Sequence, residues 1–124
     1  MEKLTQTNYV DLAEKVIVKD LSKDKKLTNS RIRNLLSLVN NLYTDVVRGG
    51  SPNEALSEAI EGKIQYIRLR FIYEAGREPS VKNFVEKADL IKHLHRIETR
   101  SDLLLFCRYM EALVAYHKFN GGRD

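Results

Sequence analysis

Between Lys63 and Arg77 the chain reads KIQYIRLRFIYEAGR, with four basic residues, three aromatics and one acid, Glu74. On a helix, residues three, four and seven apart share a face. Counted from Lys63, that spacing collects Tyr66, Arg70, Tyr73 and Arg77 into one stripe, alternating basic and aromatic. Guanidinium groups in a row can pair with phosphate oxygens, and tyrosines can stack on bases or hydrogen-bond. The opposite side carries Ile60, Ile64, Ile67 and Phe71, an apolar set that must face a core. Arg68 falls between the two and off the stripe. Arg31 and Arg33, at the start of the preceding helix, extend the basic patch, where amides near a helix N-terminus favour phosphate.

A plainer account fits the same residues. Cations gather in the last turns of a helix because its dipole is negative there, and the tyrosines then half-bury against a neighbour. Residue pattern alone leaves both accounts open.

Catalytic signatures are missing. The chain has no GxGxxG, P-loop, HExxH or GxSxG. His93 and His95, two apart on a helix, do not share a face to chelate a metal and read as surface or boundary residues. His117 reads as a hydrogen-bonded packing residue. Glu54, Glu58 and Glu61 suit the positive end of a helix dipole better than acid–base work. Glu111, on a mostly apolar helix, calls for a structural ion pair. Cys107, in LLLFCRYM, reads as a small buried hydrophobe. No catalytic residue, metal, cofactor or small-molecule substrate is expected.

The elements that must position the stripe are helical. The 124 residues fit a single helical domain, 1–124, with 43% apolar and 31% charged residues, only two prolines and no alternating β-branched runs. An all-α, compact five-helix bundle is expected. The first helix spans about Tyr9 to Leu21, capped by Asn8, with Leu12, Ala13, Val16 and Ile17 inward. The charged loop SKDKK follows. The second spans Asn29 to Arg48, capped by Thr28, and RGGSPN stops it. The third runs from near Asn53 to Ala75, with Gly76 just past its end and Gly62 marking a bend or a close helix contact. The fourth runs from Val81 to Ile97, capped by Ser80, with Val81, Phe84, Val85, Ala88, Ile91 and Leu94 inward. The fifth, capped by Ser101, reaches Phe119 and is apolar on most sides, as a central helix is. Short connections favour antiparallel neighbours.

Net charge is +4, and the excess lies in one half. Residues 1–61 hold nine basic and nine acidic residues, residues 62–124 twelve and eight. That is compatible with nucleic acid without requiring it. The N-terminus lacks an apolar signal core, and the longest apolar runs are too short to span a bilayer. A reducing, cytoplasmic setting without membrane contact is expected.

Four motifs occur in order: LTNSRIRNLLSLVNNLY, KIQYIRLRFIYEAGRE, FVEKADLIKHLHRI and LLLFCRYMEALVAYHKFNGG. From about Leu27 onward the chain resembles the small subunit of the type III-A CRISPR effector (Csm) complex. The resemblance implies a non-catalytic five-helix protein. Its copies stack head to tail as the inner filament, beside other subunits, and contact the backbone of the guide-RNA and target-RNA duplex. Such a protein needs backbone contacts and no base specificity, because the guide reads the sequence. By motif, Arg33 takes the family's arginine position in SRIR, and Arg31 stands where the family has glutamine. Lys63, Tyr66 and Arg70 take the third-helix positions, with Arg77 following, and the RNA account of the stripe gains accordingly. Two other readings are a helical protein-interaction module without nucleic-acid affinity and a small DNA-binding regulator using YEAGREPSV as a turn.

Overall fold

The computed structural model describes residues 1–47 and 54–122. It is all-α, with six α-helices among the described residues: α1 (Tyr9–Lys15), α2 (Asn29–Val47), α3 (Glu58–Arg77), α4 (Pro79–Lys87), α5 (Leu90–His95) and α6 (Arg100–Phe119). A π-helical turn, Val16–Asp20, continues α1. The RGGSPN break lies outside the described residues.

The expected five helices become six because the fourth is split. Asp89 adopts a left-handed conformation, φ 57° and ψ 37°, which aspartate tolerates better than most residues. Tyr109, buried on α6, donates its hydroxyl to the Ala88 carbonyl at 2.9 Å, and the Met1 amino group lies 3.4 Å from the Asp89 carboxylate. Apolar periodicity continues across the break through Ala88, Leu90 and Leu94, all buried. A repeat read along the chain therefore passes straight over it.

Several caps also differ. Asn8 does not cap α1 with its side chain; Oδ1 accepts from the Thr5 amide and Nδ2 donates to the Lys3 carbonyl. Thr28 Oγ1 does accept from the Arg31 amide at 3.3 Å. Helix α3 starts later than expected, at Glu58, with Ser57 accepting from the Ile60 amide. Glu54 thus lies outside α3, in an extended segment where Ala55 bridges to Thr99. Gly76 lies inside α3, which runs on to Arg77. Ser80 is a buried residue within α4, where Pro79 takes the first turn. Thr99, not Ser101, caps α6 through a capping box with Asp102.

Helix α6 is central as expected, packing on α1 and α2. Its Leu103, Phe106, Cys107, Tyr109, Met110 and Leu113 are all buried. Arg108, Glu111 and Lys118 are exposed, so Glu111 needs no ion pair to offset burial. Helix α3 packs on α2, α4 and α5. Its inward residues Ile64, Ile67 and Phe71 are buried and Ile60 partly so, which holds the opposite face outward. Gly62 has nothing within 4 Å of where a Cβ would stand, which removes the close-contact explanation for that glycine.

Candidate nucleic-acid interface

Helical spacing assembles a groove between α2, α3 and the start of α4. On α2, Arg31, Asn34, Leu35 and Leu38 recur at three, four and seven residues. On α3, Arg70, Glu74 and Arg77 do the same. With Glu78 and Val81 they line an open groove of about 470 Å³. Arg31, Arg70 and Arg77, separated by up to 46 positions in the chain, are thereby brought to one place.

The cations in this groove are held by carboxylates. Arg70 Nη2 donates to Glu74 Oε1 at 3.1 Å, and Arg77 Nη1 lies 3.7 Å from Glu74 Oε2. Arg31 Nη2 lies 3.3 Å from Glu78 Oε1. Both α3 arginines also lean on Tyr73, with Cζ atoms 5.4 Å and 5.7 Å from its ring centre. Both distances are within reach of a cation–π attraction. Tyr66 is 57% exposed and Tyr73 54%.

The other candidates separate. Lys63 sits two turns N-terminal to Arg70 and pairs with Asp45 at 2.9 Å. Arg68 turns to the far flank of α3, 2.9 Å from His95 Nδ1. Arg33 is exposed. Two residues from Arg31, it points to roughly the opposite side of α2 and does not line the groove. Lys63, Tyr66, Arg70 and Arg77 thus share a stripe, Arg31 joins its C-terminal end, and Arg33 and Arg68 stand apart.

Reasoning from sequence missed Glu74 and Glu78 as partners of the arginines, and Leu69 and Ile72 as exposed apolar neighbours of the tyrosines. A signal for Glu74 existed, since Arg70 and Glu74 are four apart. Glu78 needed the fold.

Two of the three histidines are buried packing residues. His93, expected at the surface or a boundary, is instead buried, edge-on to Tyr109 with ring centres 5.2 Å apart, and burial lowers its pKa to about 4. His117 Nδ1 lies 3.2 Å from Asn29 Oδ1, both buried, and burial lowers its pKa too. Among the described residues no group of three or more His, Cys, Asp or Glu side chains could hold a metal, and no helix is long and apolar enough to cross a membrane.

The family described as Csm2 Type III-A has a model that matches residues 3–123. A CRISPR system Cms protein Csm2 from Streptococcus thermophilus is 46% identical over 125 residues, covering 98% of each chain. The protein of the same name from Mycobacterium tuberculosis (strain ATCC 25618 / H37Rv) is 42% identical over 123 residues, covering 96% of each. That from Enterococcus italicus is 43% identical over 96 residues, 75% of this chain and 67% of the relative.

Proposed function

This chain belongs to the type III-A Csm2 family, and on that premise we propose that it is a non-catalytic, RNA-contacting scaffold subunit of a type III-A CRISPR (Csm) complex. Copies stack head to tail with one another, beside the other subunits, and line the guide-RNA and target-RNA duplex. The relatives carry the name of a CRISPR system protein, which supports membership of that assembly. The RNA reading rests on one observation: three arginines from two helices converge on an open groove beside an exposed tyrosine. Guanidinium groups hydrogen-bond phosphate in any sequence, which suits a subunit that tracks a backbone.

In this reading Arg70, Arg77 and Arg31 contact phosphates, Lys63 extends the track, and Tyr66 and Tyr73 stack or hydrogen-bond. Arg33 and Arg68 contribute only where the RNA passes beyond the groove. A DNA-reading role for α4 has less support, since Ser80 and Val81 in its first turn are buried.

The test is the salt dependence of single-stranded RNA binding by the full chain. Each phosphate contact contributes about −0.7 to the log–log slope. Replacing Arg31, Arg70 and Arg77 together by alanine lowers the slope by about two in magnitude and leaves helicity unchanged. An unaltered slope in the folded triple variant rules the groove out as the RNA contact.

A further inference from the structure

A second groove, of about 460 Å³, runs between the start of α1 and the N-terminal half of α6. Gln6, Tyr9, Leu104 and Leu105 line it together with Arg100 and Arg108. The two arginines stand about two helical turns apart on α6, with Leu104 midway between them. Tyr9, Leu104 and Leu105 are half-buried and packed on the core, so the floor is apolar. This groove shares no residue and no helix with that of Arg31, Arg70 and Arg77.

The two grooves differ in how their cations are held. Each arginine of the first sits against Glu74 or Glu78. Among the described residues no carboxylate pairs with Arg100 or Arg108; the ion pairs all lie elsewhere. Arg100 donates its Nε to the Val46 carbonyl at the end of α2, which anchors the guanidinium without neutralising it. Arg108 is exposed, and Glu111, one turn on, is not paired with it. Asp11 and Glu14, the acids of α1, lie near Tyr116 instead, two turns beyond Arg108. Two uncompensated guanidinium groups over an apolar floor suit a ligand that is both acidic and apolar.

Spacing defines that ligand further. Arg100, Leu104 and Arg108 follow one another at steps of about 6 Å along the helix axis. In an extended chain alternate residues share a side and stand about 6.6 Å apart. An extended segment laid along α6 therefore meets all three when its order is acid, any residue, apolar, any residue, acid. RNA matches less well, because the half-buried ring of Tyr9 offers no open face to a base and the apolar floor offers nothing to phosphate. We propose that this groove binds an extended acidic segment of a different protein, with carboxylates on Arg100 and Arg108 and an apolar side chain between them on Leu104. The one stretch of this chain in that order, Glu54 to Glu58, is already engaged: Ala55 bridges Thr99 and Leu56 packs on the core. The proposal goes beyond the RNA reading and does not rest on it.

The test is a fluorescence-anisotropy titration of the labelled synthetic peptide SGESLSEGS with the full chain, at low salt and up to about 1 mM protein. The expected result is saturable binding. It weakens about tenfold when both glutamates become glutamine (SGQSLSQGS) or when the same residues are respaced (SGEESLSGS). Arg108→Glu, at an exposed site, keeps its helicity and binds SGESLSEGS about tenfold more weakly or worse. The same variant binds a peptide with one glutamate changed to lysine (SGKSLSEGS or SGESLSKGS) better than the parent does, which a merely structural role for Arg108 would not produce. Replacing Arg31, Arg70 and Arg77 by alanine leaves peptide binding unchanged, and Arg108→Glu leaves the RNA salt slope at the parent value. No saturation, equal binding of the three parent peptides, no charge-swap gain, or loss of the peptide in the triple variant each overturns the proposal. A smaller RNA slope in Arg108→Glu makes the groove a phosphate site and overturns it as well. Failure of the RNA reading shows only in the RNA slope of the triple variant, so the two fail separately.

Discussion

In the proposed RNA role, Glu74 competes with phosphate for Arg70 and Arg77, and Glu74→Gln measures that competition. The carboxylate is 24% exposed and holds Arg70 at 3.1 Å and Arg77 at 3.7 Å. Partly exposed pairs of this kind contribute about 0.2–1 kcal/mol each. An RNA phosphate arriving at either arginine must displace that carboxylate or accept its repulsion. Glutamine keeps the shape and removes the charge. Releasing both arginines therefore favours RNA by about 1 kcal/mol, or about fivefold tighter binding at low salt. The assay is fluorescence anisotropy with a labelled single-stranded RNA at fixed ionic strength, repeated at high salt, where the gain shrinks. Glu61→Gln makes the same charge change on α3 outside the groove and serves as control. Binding that is unchanged or weaker in Glu74→Gln, or a gain matched by Glu61→Gln, refutes the reasoning.

Other outcomes follow from the core. His93 has a folded pKa near 4 against an ordinary 6.5, so the unfolded chain binds the extra proton between those values. Its contribution is therefore full above pH 6.5 and is lost as pH falls toward 4, about 2 kcal/mol after allowing for relaxation, read by urea unfolding; His93→Gln flattens that dependence. Tyr109→Phe removes the hydroxyl bond to the Ala88 carbonyl and costs about 1–2 kcal/mol in the same assay. Burial pushes the Cys107 thiol up to about 12, so a thiol reagent labels it only after urea unfolds the chain. Thr99→Ala breaks the capping box of α6 and lowers stability by about 1 kcal/mol, visible as a lower Tm.

The sequence by itself determined the helical class, the inward faces and the stripe. Turn-spaced apolar residues such as Ile64, Ile67 and Phe71 have one way to be buried, and burying them turns Lys63, Tyr66, Arg70, Tyr73 and Arg77 outward. Family membership was equally legible, because the motifs run through most of the chain. Only the tertiary structure decided which cations meet. Arg31 reaches the groove of Arg70 and Arg77 because α2 packs on α3, while Arg33, two residues on, is carried to the other side of the same helix. The break at Asp89 was likewise beyond periodicity. It coincides with groups from both ends of the chain, the Tyr109 hydroxyl and the Met1 amine, and a repeat read along one helix carries no information about partners so distant in sequence.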